Sequence, residues 1–412
     1  MYVSYDNKNL ITAISEHPFS STNQKVVKVN KKFDQSMIGK PFEIPKKKDI
    51  KDLKVAVVCN WKDTCGIATY TEFLTTEIKQ KVKHVKIFAE VIKNYEKEEN
   101  VSRCWKRGEP LTQLVSELED YNPDFIIIQH EFGIFPKATH FLKFLQGIEN
   151  FPYVLTLHSV YEHLDKAVCT AAIKNIVVHT DEGKDVLESV GNTSNVFVIP
   201  HGCIQIPEKD RTELWNIFQT PYCIVQFGFG FSYKGVDTAL EAVAVLKKAQ
   251  PEKYKDIFYC YLCSENANTS SIHTNYYYSI TTKIKELGLS NNASIIRKYQ
   301  SEKTINNYLR TAKLALFPYK SDPNNVVYGA SGATRIAMAN GTPTIVGKNH
   351  QFDDLEGVLP RAGTAEELAH EIDKVFSSRQ HRDLIVKNAF DYIEENTWNI
   401  CADKYLDLYK KV

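Results

Sequence analysis

From Leu53 onward the chain alternates short apolar runs with amphipathic stretches in a regular beat. LKVAVVCN, VKIFAE, DFIIIQ, PYVLTL, NIVVHT and NVFVIP are each brief and scarcely interrupted by polar residues, as in strands buried on both faces. Between them, residues 68–80, 111–118, 137–145 and 182–190 carry helix-like patterns. Strand and helix in strict alternation predict βαβ units and a doubly wound parallel sheet. A polar connector follows, CIQIPEKDRTELWNIFQTP, and then the beat restarts with YCIVQFG, IFYCYLC, ASIIRK, LALFPY and TPTIVG. Helical patterns recur at 237–248 and 304–311, and the chain closes with three more at 365–376, 382–395 and 398–409. The expected fold class is α/β: two Rossmann-like, doubly wound parallel-sheet domains, residues 51–205 and 206–396, facing a cleft, with residues 397–412 as a final helix. Residues 1–50 do not follow the beat. They are polar, contain KVNKK and IPKKKDIKDLK, and alternate only weakly at KVVKV; a small β appendage and an extended arm both fit.

A chain of 412 residues is long for one core and suits two domains. Its formal net charge of +1 argues against bulk capture of nucleic acid. No apolar run approaches the ~18 residues a membrane-spanning helix needs, and the N-terminus lacks a signal pattern. The nine cysteines are scattered. Cys260-Tyr-Leu-Cys263 has redox or zinc spacing, but no second pair accompanies it, and its flanks read as a buried strand. A reducing cytoplasm is the expected compartment.

Candidate chemistry gathers where strands end, the side on which such sheets hold ligands. The richest segment is NNVVYGASGATRIAMANGTP, residues 324–343. Strand ALFPY leads into a small-residue loop, Gly329-Ala-Ser-Gly332, and a helix begins at once, so amides and the positive helix end can approach an anion. Earlier, Phe227-Gly-Phe-Gly-Phe-Ser-Tyr-Lys234-Gly235 follows another strand. It lacks the third glycine of a dinucleotide fingerprint, and no acidic residue ends a second strand about twenty positions on, which disfavours NAD. Lys234 instead offers a point charge suited to phosphate oxygens. Gly66, in Thr64-Cys-Gly-Ile-Ala-Thr-Tyr70, permits a ligand to approach at a strand-to-helix turn or simply makes a tight turn. His130 and Glu131 close DFIIIQ and could position a hydroxyl or exchange a proton. His158 closes PYVLTL at the crevice, and Pro200-His201-Gly202 reads mainly as a hinge. The basic runs Lys79–Lys86 and Lys46–Lys54 are solvated faces or a docking surface for an anionic membrane. Three consecutive tyrosines in SIHTNYYYSITTK suit the cover of a surface groove.

With these residues the chain resembles GT-B glycosyltransferases, and is most similar to family 4, the retaining, sugar-nucleotide-dependent enzymes. The resemblance runs from about Leu53 to the C-terminus. It rests on GIATYTEF, QHEFGIF, TLHS, IVVHT, VIPHG, FGFGFSYKGVDTALEA, LALFPY, GASGA with AMANGTPTIVG, and NTWNICADKYLDLY. It implies that the last helix crosses back onto the first domain. It also implies that Lys234 binds the donor diphosphate, with Gly228 beside it and amides of Ser331, Gly332 and Ala333 on the same phosphates. Gly66 would sit against the donor from the other domain, Tyr299 near the base and His158 on the transferred sugar, while His130 and Glu131 would line the acceptor side. Catalysis would then rest on His158, Lys234 and Glu131. The family's E-x7-E carboxylates are absent: Tyr328 and Ile336 stand there, and Phe229 replaces the arginine that often precedes the lysine. The implied reaction is hexosyl transfer from a nucleotide-diphosphate sugar to a glycan, lipid-linked or protein acceptor, without metal or cofactor. A sugar-nucleotide epimerase of the same fold and a non-catalytic binding or scaffold homologue are the alternatives.

Overall fold

The computed structural model describes residues 2–5, 11–14, 47–93, 95–161, 173–190, 195–211, 217–264, 270–324 and 326–412. The chain divides into two compact units, residues 1–47 and 48–412. In the first, β1 (Tyr2–Tyr5) pairs antiparallel with β2 (Ile11–Ile14); KVVKV and KVNKK lie outside the described residues.

The second unit contains two wholly parallel sheets. One has seven strands in the order β10-β9-β7-β6-β3-β4-β5: β3 (Lys54–Cys59), β4 (His84–Glu90), β5 (Val101–Trp105), β6 (Phe125–His130), β7 (Tyr153–Leu157), β9 (Asn175–Val178) and β10 (Asn195–Val198). The short β8 (Ser159–Val160) leaves this sheet. Among the described residues its helices are α1 (Gly66–Lys79), α2 (Thr112–Tyr121), α3 (Ala138–Gly147) and α4 (Asp181–Ser189). All six residues of β6 are buried, because helices cover both faces of the sheet. The chain runs outward from β3 to β5 and restarts beside β3 at β6, so the carboxyl ends of β3 and β6 flank a topological switch point. The edge strand β5 was not foreseen from the sequence.

The other sheet has six strands, ordered β13-β12-β11-β14-β16-β17: β11 (Cys223–Phe229), β12 (Phe258–Ser264), β13 (Ala293–Arg297), β14 (Leu314–Phe317), β16 (Thr344–Gly347) and β17 (Arg361–Ala362), with β15 (Tyr328–Gly329) outside it. Its helices are α5 (Val236–Ala249), α6 (Pro251–Tyr254), α7 (Ser270–Glu286), α8 (Glu302–Thr311), α9 (Gly332–Ala339), α10 (Ala365–Ser377) and α11 (Arg379–Glu395). The switch point falls between β11 and β14, which places the loops carrying Lys234 and Tyr319 side by side. Cys260 and Cys263 are buried, unpaired strand residues, in keeping with a core role. The triple tyrosine lies on α7, where Tyr276 packs against the core and Tyr278 is exposed.

Helix α12 (Trp398–Leu408) crosses back to the first sheet, where Trp398, Ala402, Tyr405 and Leu406 join the core of β3, β4 and α1. Trp398 stacks on Phe73 at 5.6 Å, and Tyr405 Oη lies 2.8 Å from Thr156 Oγ1 and 3.1 Å from Tyr70 Oη. The basic runs are partly engaged within the fold: Lys48 pairs with Asp124 at 2.7 Å and Lys81 with Asp403 at 2.8 Å. Among the described residues, no helix is long and apolar enough to cross a membrane.

The two sheets' loops also meet directly. β8 and β15 pair antiparallel, Val160 opposite Tyr328 and Ser159 opposite Gly329. A Cβ on Gly329 would lie 2.6 Å from His158 O, closer than real side chains tolerate. Gly329→Ala is therefore expected to part this ladder without unfolding either sheet, and amide hydrogen exchange should quicken at Val160 and Tyr328 but not in β6 or β12.

Candidate functional site

At the end of β11 a one-turn 3-10 helix, Ser232–Lys234, leads into α5. Gly235 at that junction has φ +67°, and a Cβ there would lie 1.8 Å from Pro318 O. Glycine thus lets this loop pass against the end of β14. The close approach seats Lys234 over Tyr319, with Nζ 3.8 Å from that ring centroid and 4.7 Å from that of Tyr233. Burial lowers the lysine's pKa, the Tyr233 hydroxyl partly opposes this, and no carboxylate is among the groups perturbing it. Gly228 lies against its stem, a Cβ there falling 3.8 Å from Lys234 Cε.

Tyr319 links the lysine to the GASGA loop, its hydroxyl lying 3.3 Å from Ser331 Oγ. Ser331 is the N-cap of α9, yet its side chain does not cap the helix; Oγ accepts from the Thr334 hydroxyl at 3.1 Å instead. The first-turn amides at Gly332 and Ala333 are left without a side-chain cap, and the helix start is electropositive. Lys234, Gly228, Tyr319, Ser331 and Gly332 therefore form one cationic surface at the switch point. From the opposite sheet, His201 reaches this surface, with Nε2 3.2 Å from the position of a Cβ on Gly332.

Behind the crevice, three histidines surround the buried Tyr70: His158 at 4.7 Å, His201 at 4.9 Å and His179 at 5.3 Å between ring centroids. His179 Nδ1 is 3.0 Å from Ile199 O, and a carbonyl only accepts, so Nδ1 carries the proton. Burial holds this imidazole neutral, with its pKa pushed down to about 4, so His179 Nε2 is an acceptor. It lies 3.3 Å from His158 Nδ1, which must then donate. His158 Nε2 is left as an acceptor, 2.7 Å from Gln129 Oε1. An amide oxygen cannot donate, so these tautomers require the Gln129 amide to be turned with its nitrogen toward the ring. Both ring nitrogens of His158 are thus committed internally, and burial lowers its pKa well below the usual histidine range.

The two residues expected on the acceptor side separate. His130 is 1% exposed and packs on Phe132, Phe135 and Phe141 with ring centroids 4.7–5.6 Å away; it does not line the crevice. Strand β6 ends at His130 and Glu131 begins the loop after it, so adjacency in sequence did not place the pair on one surface. Glu131 hydrogen-bonds Ser159 and accepts from Phe132 N at 3.1 Å, and burial raises its pKa. Gly66 begins α1 with open space where a Cβ would point, and Tyr299 is 60% exposed. Neither borders the interdomain cavity of about 640 Å3, whose walls include His158, Ser159, Tyr233, Lys320, Gly329 and His350. Lys320 in that wall pairs with Asp237.

Sequence reasoning passed over Arg335, which is 1% exposed one turn into α9. Its guanidinium pairs with Asp354, donates to Ser331 O at 3.0 Å and to Tyr392 Oη at 3.2 Å. It fixes the start of α9 from below. Only its partners reveal it, and they lie far along the chain.

Burial of neutral imidazoles makes the fold acid-sensitive. His130 is pushed down to about 3 and His179 to about 4, whereas in the unfolded chain each titrates near 6.5. Their stabilising effect is complete above pH ~6.5 and is lost as pH falls toward 4 and then 3, by at most about 1.4 kcal/mol per unit per group. Between pH 6 and 4 the urea midpoint of His130→Leu is expected to fall less steeply than that of the parent.

Residues 209–392 match the family model described as Glycosyl transferases group 1, so this part of the chain is similar to that family's domain. Similar solved structures include a sucrose-phosphate synthase from Thermosynechococcus elongatus (16% identity, TM-score 0.69, 87% of this chain and 99% of that one). An α,α-trehalose-phosphate synthase (UDP-forming) from Burkholderia xenovorans, solved with glucose-6-phosphate, is 10% identical with TM-score 0.68 over 87% of this chain and 100% of that one. Anabaena HepE, solved with UDP and glucose, is 14% identical with TM-score 0.65 over the same shares, 87% and 100%. Among curated proteins no sequence matches. At these identities the structures establish the fold, GT-B.

Proposed function

We propose that the protein transfers a hexosyl group from a nucleoside diphosphate sugar to an acceptor hydroxyl, with retention of anomeric configuration. The observation that carries this reading is the convergence of Lys234 and the uncapped start of α9 at the switch point of the second sheet. A lysine without a carboxylate partner among the described residues, beside open helix amides, is an electrostatic cradle for a diphosphate. It would stabilise the charge that develops as the diphosphate leaves, so the proposed transfer needs no metal. Residues 206–396 would hold the donor and residues 51–205 the acceptor, with 397–412 tying the two together. The acceptor hydroxyl would attack from the face the diphosphate leaves, and contact between the sheets' loops would exclude water. The neighbours solved with UDP and glucose or with glucose-6-phosphate support a sugar-nucleotide donor and a sugar acceptor.

Epimerisation is less well supported because it calls for carboxylates free to exchange protons in the crevice. Glu131 is occupied with Ser159 and Phe132 N, and Asp237 with Lys320.

Thermal melts with UDP, GDP, ADP and their glucose and mannose conjugates test the reading. One nucleotide series should raise Tm with the logarithm of its concentration, reaching about 2.7 kcal/mol of stabilisation at a hundredfold excess over Kd. Radiolabelled conjugates of that series should then pass label to an added acceptor. If none of the series stabilises the protein, the proposed donor is wrong.

A further inference from the structure

Among the cavity-lining residues, His350 is held in a way that its role in folding does not explain. It begins the 3-10 turn His350–Leu355, which follows β16 on the ligand side of the second sheet. Its Nδ1 lies 2.7 Å from Asp353 Oδ2. A carboxylate only accepts, so Nδ1 bears the proton and the tautomer is set. Asp353 is fixed in turn: its Oδ1 accepts from Arg361 Nη2 at 3.2 Å, and the same guanidinium nitrogen donates to Asn349 O at 3.2 Å. Tyr328 packs against the imidazole face, with ring centroids 4.5 Å apart. The ring is therefore oriented by a carboxylate, an arginine behind that carboxylate and an aromatic face. Its side chain nevertheless remains 43% exposed on the wall of the cavity, and Nε2 has no hydrogen-bond partner among the described residues.

An imidazole positioned by a carboxylate with its second nitrogen open is preorganised to accept a hydrogen bond. Its place favours the sugar of the bound donor over the base. The cavity is walled by Ser159 from the first sheet's loops and by Lys320 and His350 from the second's, so a group bound there touches both domains. Tyr328, which packs on the ring, supplies no carboxylate for sugar hydroxyls. We propose that His350 is a specificity-determining residue that accepts a hydrogen bond through Nε2 from a hydroxyl of the transferred hexose, with Asp353 and Arg361 as its positioning residues. The inference rests on the donor reading above and names the residue that grips the sugar.

Isothermal titration of the full chain with UDP, GDP and ADP and with their glucose conjugates separates the two ideas. His350→Phe preserves a ring against Tyr328 and removes the acceptor. It should weaken the preferred sugar nucleotide about tenfold, leave the matching bare diphosphate unchanged, and be partly rescued by His350→Gln. Equal affinity of parent and His350→Phe for the sugar nucleotide would overturn the role of His350 while leaving the donor reading intact. A parallel loss for the bare diphosphate would overturn it too, since the effect would then lie in the nucleotide site or the fold. If the parent chain binds no member of the panel, the donor reading falls and this inference falls with it.

Discussion

Lys234→Ala is expected to lower the rate of sugar transfer by about 10²–10³-fold, the loss seen when a single preorganised charge-stabilising group is removed from a water-poor site. The fold should not suffer. Lys234 is a cation whose burial lowers its pKa, and aromatic faces rather than a carboxylate surround it. Removing it relieves desolvation and breaks no ion pair, so Tm should be unchanged or higher. Initial rates with labelled donor, measured beside a thermal melt, check both halves. Near-parental transfer in a well-folded variant would displace the diphosphate from this surface.

The largest expected loss of stability lies one turn along α9. Arg335→Ala removes the partner of Asp354, whose side chain is only 10% exposed, and leaves its carboxylate, together with the Tyr392 hydroxyl 2.6 Å away, without a cation. Breaking a buried pair in this way costs about 3–5 kcal/mol. Asp354→Ala should cost a similar amount by stranding the guanidinium. Replacing both residues with leucine removes the charges together and should recover much of the loss. Urea unfolding of the two single variants and the double variant checks this; simple additivity would show that the two side chains do not act as a pair. Because Arg335 also holds Ser331 O, the double variant should be stable yet bind nucleotide less well than the parent.

The architecture was largely legible because parallel strands covered on both faces must be apolar nearly throughout, as Phe125–His130 shows. Val101–Trp105 escaped notice for the opposite reason. It is an edge strand, and its polar Arg103 donates through Nη1 and Nη2 to the carbonyls of Glu90 and Trp61, 2.8 and 3.0 Å away. Lys234 and the GASGA loop stood out because glycines and a lone lysine at strand ends have few structural reasons to be there. Arg335, His179 and His350 did not. What makes each distinctive is a partner from another element or a tautomer set by a neighbour, and neither leaves a mark in local spacing. His130 misled in the reverse direction, since its neighbour Glu131 suggested a shared surface, whereas His130 ends the strand among Phe135 and Phe141 and Glu131 begins the loop.

The return of α12 to the first sheet bears on how the chain is made. Tyr70, Leu74 and Ile78 of α1 share a core with Trp398, Cys401, Tyr405 and Leu406, residues that leave the ribosome only after every strand of the second sheet. Until then the first domain carries an apolar face with nothing on it, and Thr156 lacks the hydroxyl of Tyr405. Synthesis from the N-terminus therefore cannot complete the domains one after the other: the domain begun first is the one finished last.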